Sequence, residues 1–111
     1  FENMLVTAGR IFLTDVNSHI YALDQNGGIE RWSNTRLFGR ELSAPARHRG
    51  HILVGDFEGY LHWLNDDSGE IKGRYHVGGD GVYAAPVVSD NVAYVQTRDG
   101  EIIALDINSG N

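Results

Sequence analysis

Apolar and polar positions alternate in short runs along most of this chain, and no window of useful length keeps a helical period. HIYALD is the clearest run. Ile20 and Ala22 fall on one side and Tyr21 and Leu23 on the other, the mark of a half-buried strand. MLVT and RIFLTD before it, and IERWS after it, are short β-branched and aromatic runs that complete a set of four predicted strands. Ala8-Gly9, Asn17-Ser18 and Asn26-Gly27-Gly28 separate them as tight turns, the last able to supply the positive φ angles of a hairpin. The order then recurs as SAPARH, HILVGD, YLHWLN and EIKGRYHV, broken at Arg49-Gly50, Glu58-Gly59 and Asp67-Ser68-Gly69. A third set, YAAPVVS, VAYVQT and EIIALD, turns at Asp90-Asn91 and Asp99-Gly100 and reaches Asn108-Ser109-Gly110-Asn111 with no fourth strand.

The recurrence has a fixed period. Leu23, Leu64 and Leu105 lie 41 residues apart, as do Asp24, Asn65 and Asp106, and Gly28, Gly69 and Gly110. Ala44-Pro45 returns at the same offset as Ala85-Pro86. Four antiparallel strands per 41 residues, with no crossover helix, is the layout of a propeller blade. The expected fold is therefore all-β, a β-propeller of about 2.7 blades in 111 residues. The blades are expected at 4–38, 43–79 and 83–111, the last lacking its outer strand. So short a run leaves broad apolar faces at its ends and an unpaired strand edge near Glu101–Asp106. The chain is thus expected to be part of a longer propeller and, on its own, to self-associate or swap strands.

Composition removes function classes and adds none. A formal charge of −6 argues against a nucleic-acid partner, which needs a clustered positive surface. No run approaches the ~18 apolar residues of a membrane-spanning helix, and FENMLV is not a signal peptide. With no cysteine there is no disulfide or thiolate metal site in these residues. His19, His48, His51, His62 and His76 lack the convergent spacing that zinc needs, so no metal site is expected. Asp56 and Glu58, and the cluster Asp66, Asp67 and Glu70, read as turn-forming or solubilising carboxylates more readily than as an acid–base pair. Ser68 and Ser109 have no partnered histidine. No catalytic residue and no cofactor are expected.

Charge is uneven. From Arg31 to His51 the formal charge is +4, and from Ile52 onward it is −7. The basic stretch contains the connection TRLFGRELS, where Leu37 and Phe38 stand between Arg36 and Arg40. Arginine beside exposed apolar residues is the composition of a protein-binding hot spot, although the pattern reads more readily as an apolar pair packed beneath the blade with the arginines solvated. Propeller connections of this kind share a face with the turns between second and third strands. Asp56, Phe57, Glu58 and the connection HVGGDGVY from His76 to Tyr83 would then lie on the same side. Arg36, Leu37, Phe38, Arg40, Asp56, Phe57 and Glu58 are the candidate partner-binding residues.

The stretch from Ala22 through Asp24 and Gly28 to Trp32 resembles the tryptophan-docking motif of quinoprotein-type propellers, A-x-D-x-x-(S/T)-G-x-x-x-W. The small Ala lets an indole lie flat, Asp can hold the turn through backbone N–H groups, and Trp brings a large buried area between blades. A third copy follows the pattern at Ala104, Asp106 and Gly110. The second departs from it: Trp63 replaces the Ala, Asn65 the Asp and Gly73 the Trp, with Gly69 retained. A large side chain has moved from one end of the motif to the other, which would conserve the volume between blades. VGDFEGYLHWLN, with its flanks RIFLTDVNSHIYALDQNGGIERW and APVVSDNVAYVQTRDGEIIALD, is similar over essentially the whole chain to the last three blades of the BamB family of outer-membrane assembly lipoproteins. That resemblance implies an eight-bladed propeller at the periplasmic face of the outer membrane, lipid-anchored through a cysteine outside these residues. It also implies a non-enzymatic scaffold that binds the POTRA domains of BamA within the BAM complex. The competing expectations are part of a pyrroloquinoline-quinone-dependent dehydrogenase, or a periplasmic protein-binding propeller with another partner. Nothing here assembles a quinone, cation and base set.

Overall fold

The computed structural model describes residues 3–7, 9–78, 81–82 and 85–106. Its strands form three antiparallel sheets in chain order. The first sheet contains β1 (Asn3–Thr7), β2 (Arg10–Thr14), β3 (Ile20–Asp24) and β4 (Glu30–Asn34). The second contains β5 (Ala46–His48), β6 (His51–Gly55), β7 (Tyr60–Asn65) and β8 (Ile71–His76). The third contains β9 (Val87–Ser89), β10 (Val92–Gln96) and β11 (Ile102–Asp106). Each strand pairs with its sequence neighbour, so every sheet is a meander of hairpins. No helix occurs among the described residues. Meanders stacked face to face in chain order are the arrangement of propeller blades.

Burial follows the position of each sheet in the stack. Strand β6 lies in the middle sheet and is buried on both faces. Ile52 and Val54 join Phe12, Ile20, Ala22, Trp32 and Leu64 in one core, while Leu53 joins Leu61 and Ala93 in another. A large apolar side chain so enclosed contributes about 1.5–3 kcal/mol. Among the described residues only one face of the third sheet is covered: β11 alternates between exposed and half-buried along its whole length.

The period survives at the level of irregularity. The β3–β4 register slips between Ala22 and Leu23, and the β7–β8 register slips between Trp63 and Leu64, the positions 41 residues on. The same bulge thus stands in both sheets, and it re-aims the outer strand.

The docking motif also becomes mechanical. Ala22 lies directly opposite Trp32, and Trp63 directly opposite Gly73, so the two copies exchange large and small across a single cross-strand pair. The Trp32 indole Nε1 donates to the Asp66 carbonyl at 2.9 Å in the next sheet. Its ring covers Gly69, where an added Cβ would lie 2.3 Å from the indole. Arg10 donates to the same carbonyl at 2.9 Å and pairs with Asp67 at 2.7 Å, and Asn34 donates to the Gly69 carbonyl at 2.7 Å. The first sheet therefore grips the β7–β8 turn of the second through four polar contacts and the Trp32 ring. Trp63 instead packs against Tyr75, centroids 4.8 Å apart with the rings tilted by 38°, in the core shared with the third sheet.

One motif position behaves differently from expectation. Asp24 directs its carboxylate to Arg31 at 3.2 Å, because its turn is closed by main-chain bonds alone, the Gly28 amide donating to the Asp24 carbonyl at 3.0 Å. The turn-holding role belongs to Asn65, whose Oδ1 accepts from the amides of Asp67 and Ser68 at 2.8 and 3.0 Å. Ala104 and Asp106 lie on β11, and Gly110 falls outside the described residues.

Candidate functional site

The β2–β3 and β6–β7 turns and the connection between the first two sheets meet on one face. Each turn is held by a buried or half-buried side chain just before it. Asp15 Oδ1 accepts the amides of Asn17 and His19 at 2.9 and 3.0 Å, and its Oδ2 accepts the Tyr21 hydroxyl at 3.1 Å. Forty-one residues later, Asp56 Oδ1 accepts the amides of Glu58 and Tyr60 at 3.0 and 2.9 Å. A further 41 residues on, Thr97 Oγ1 accepts the Glu101 amide at 3.1 Å and donates to Asp99 Oδ1. This anchor is the functional feature that reading the sequence missed. Its signal was available in the same offset, had it been extended to Asp15, Asp56 and Thr97 and to Tyr21 and His62.

Asp56 carries the most elaborate copy. Its side chain is wholly enclosed, and Oδ2 meets His62 Nε2 at 2.7 Å and Arg40 Nη1 at 3.1 Å. The same Arg40 nitrogen reaches Glu58 Oε1 at 2.8 Å. Burial pushes the Asp56 carboxyl up, but the His62 ring, the Tyr60 amide and Arg40 together outweigh it and hold the group below its ordinary 3.8. With both oxygens shared among four nitrogen partners, Asp56 is a structural anion and not a free base.

That node ties three segments together. The Phe57 amide donates to the Arg40 carbonyl at 3.1 Å, and the Val82 amide to the Asp56 carbonyl at 2.9 Å. The connection from β4 is held in turn to the first sheet, the Gly39 amide donating to the Asn17 carbonyl at 3.2 Å and the Glu41 amide to Ser18 Oγ at 2.9 Å. From β8 onward, the Val77 amide donates to the Gly59 carbonyl at 2.6 Å. Residues 76–78 and 81–82 thus reach the same face, and 79–80 and Tyr83 lie outside the described residues.

The candidate residues separate by depth. Phe38 is 67% exposed with its ring 5.8 Å from His19, and Phe57 is 40% exposed. Arg36 is exposed, its amide fixed by Asn34 Oδ1 at 2.8 Å. Leu37 is in the core between the first two sheets, so its side chain is withdrawn from the surface expected for it. Two adjacent residues in a tight connection face opposite ways, and the core claims the aliphatic one. Asp56 is likewise internal, while Arg40 and Glu58 stand at the rim of the node.

Neighbouring rings extend the face. Tyr60 packs 4.8 Å from His76, with the Arg74 guanidinium 4.4 Å from its centroid and Arg40 at 6.0 Å. His62 is buried on Asp56, His19 is half-buried beside Tyr21, and His48 and His51 are half-buried at the β5–β6 turn. Among the described residues no group of three or more His, Asp or Glu side chains is placed to hold a metal ion.

The family model for the outer membrane protein assembly factor BamB matches residues 16–111. The chain belongs to the BamB family. It is 42% identical over 106 residues to the BamB assembly factor of Shewanella oneidensis, covering 95% of this chain and 27% of that protein. The crystal structure of BamB from Moraxella catarrhalis superposes with a TM-score of 0.81 at 27% identity, covering 91% of this chain and 30% of that one. The chain therefore spans about a quarter of the length of its curated BamB relatives. A quinohemoprotein alcohol dehydrogenase from Pseudomonas putida HK5 also superposes with a TM-score of 0.81, over 97% of this chain and 19% of that one. At 21% identity that likeness shows the fold alone. The three sheets are blades of a quinoprotein-type β-propeller.

Proposed function

We propose that these blades belong to a non-catalytic scaffold of the β-barrel assembly machinery, working at the periplasmic face of the outer membrane and binding the POTRA domains of BamA. The supporting observation is the pairing of exposed aromatic side chains with a fixed support. Phe38 and Phe57 stand in solvent on loops locked together by the Arg40–Asp56–His62 node. Loops that are already ordered lose little conformational freedom on docking, and aromatic residues beside arginine are the side chains from which interfaces draw most of their energy. Binding proceeds by loop docking, with no bond made or broken. In the full-length protein a lipid anchor elsewhere in the chain holds the scaffold at the membrane. The dehydrogenase reading has less support. The best-buried carboxylates are engaged within the protein, Asp56 by four partners and Asp66 by Arg47 at 2.7 Å.

The experiment is a binding titration of the purified periplasmic domains of BamA against this chain, with a full-length BamB relative alongside. Saturable binding that falls about tenfold in Phe38→Ala/Phe57→Ala is the expected result. If the relative binds while this chain does not, or the double variant binds unchanged, the connector face is not the docking surface. The open apolar faces at the two ends of the stack support a second part of the proposal, that these 111 residues self-associate in solution.

A further inference from the structure

Strand β8 differs from every other strand in its side chains. Its exposed positions are Lys72, Arg74 and His76, in strict alternation, while Ile71, Gly73 and Tyr75 are half-buried. It is the outermost strand of its sheet, and among the described residues it pairs with β7 alone, so its outer edge carries open main-chain donors and acceptors. The exposed row is also supported from beneath. Tyr60, which pairs with His76, lies under the Arg74 guanidinium at 4.4 Å and beside the His76 ring at 4.8 Å. Lys72 leans on Glu70 at 3.1 Å, whereas Arg74 has no carboxylate partner among the described residues. The equivalent strand of the first sheet, β4, lacks this character. Its exposed residues are Glu30, Arg31 and Ser33, and Arg31 is occupied by Asp24.

We propose that the β8 edge is a binding site for an extended acidic segment of a partner protein, added as a further antiparallel strand. Main-chain hydrogen bonds along Ile71–His76 give the affinity. Side chains two residues apart on the added strand fall on one face, so carboxylates at alternate positions meet Arg74 and His76 in register, with Lys72 beside them at the bulge. Cross-strand pairs of opposite charge favour this occupant, and a basic strand in the same place is repelled. The molecule as a whole carries −6, which opposes general attraction of acidic peptides and leaves the local row to select them. The β8 edge adjoins the scaffold's connector face through Tyr60 but asks nothing of Phe38 or Phe57, so the two readings fail separately.

The test uses this chain and three synthetic ten-residue peptides. The first alternates Glu with Val and Thr, the second carries Lys in place of Glu, and the third is the Glu peptide N-methylated at alternate amides. The expected result is saturable binding of the Glu peptide only, with backbone amide shifts confined to Lys72–His76 and their neighbours on β7. Affinity should fall about tenfold in Arg74→Glu and decline with added salt. Lys72→Gln/Arg74→Gln serves as a second, milder variant, and unchanged amide spectra away from β8 show that both remain folded. Four outcomes overturn the proposal: equal binding of the Lys peptide, equal binding of the N-methylated peptide, shifts centred on β4 or β11, or no binding of any peptide. The last would mean that the cations only guard an exposed edge against aggregation.

Discussion

At the scale of the residue, Asp56 shows how one side chain joins stability to surface. Its carboxylate closes the β6–β7 turn, holds His62 and fixes Arg40, which in turn positions the loop bearing Phe57. Because its folded pKa lies below the ordinary 3.8, the unfolded chain takes up a proton first as pH falls. The stabilisation from Asp56 is therefore fully present well above 3.8, begins to fall as pH approaches that value, and is lost as pH drops through the lower folded value. Chemical denaturation at a series of pH values should show this acid limb, and Asp56→Asn should flatten it while costing roughly 3 kcal/mol at neutral pH. An Asn variant with the acid limb of the native chain would show that other carboxylates carry it. None of this was legible in the residue itself. An Asp beside a glycine turn reads as a solvated turn former, and only the convergence of His62 and Arg40, six and sixteen positions away, makes it an enclosed anion.

At the scale of the element, the sequence was legible wherever the 41-residue offset applied and obscure where the chain leaves the sheets. Strand alternation, the turns and the sheet order follow directly from HIYALD and its counterparts, because a side chain's face in a strand depends only on parity. The connection after β4 has no parity, so the opposite fates of Leu37 and Phe38 had to come from the path of the backbone between Thr35 and Arg40. The bulge at Ala22 and Trp63 was hidden for a similar reason, since it depends on pairing and not on composition. The motif exchange, by contrast, was visible, and the register gives it a direct test. Trp63 and Gly73 are one cross-strand pair, and a Cβ on Gly73 would sit 2.7 Å from the Trp63 ring. Trp63→Ala should cost about 3 kcal/mol by leaving a cavity beside Tyr75. Gly73→Trp should also destabilise, by overpacking. The double variant restores the order found at Ala22 and Trp32 and should recover about half of the summed loss, a coupling that a double-mutant cycle in urea measures. Strictly additive losses would show that the two sheets do not conserve volume through this pair.

At the scale of the molecule, the repeat converts buried positions into forecasts for exposed ones. Leu53 and Leu61 are buried beneath the third sheet at 2% and 0% exposure, and their counterparts 41 residues on, Tyr94 and Ile102, are 42% and 73% exposed. On the opposite end of the stack, Met4 and Val6 are 50% and 52% exposed, paired with Leu13 and Ile11 on the face that Val54 and Ile52 bury in the second sheet. The two open faces are thus the two halves of the contact already made twice within the chain. A second copy can stack its first sheet on the third sheet of its neighbour. Such a contact is heterologous, and because it repeats the blade-to-blade rotation it curls round a propeller axis, so assembly should grow with concentration only to a few copies. Each large side chain covered contributes about 1.5–3 kcal/mol against a cost of association of at least about 4 kcal/mol, so several must be buried together and the complex should form only at raised concentration. Sedimentation of these 111 residues should show a weight-average mass that rises with concentration. Tyr94→Lys/Ile102→Lys should reduce it to that of a monomer, as should Met4→Lys/Val6→Lys, while Phe38→Lys should leave it unchanged. The decisive mixture combines the two double variants. Each retains the face that the other has lost, so together they should form a capped dimer and nothing larger. Association that survives both variants, or a mixture that stays monomeric, would show that the open faces do not meet in this way.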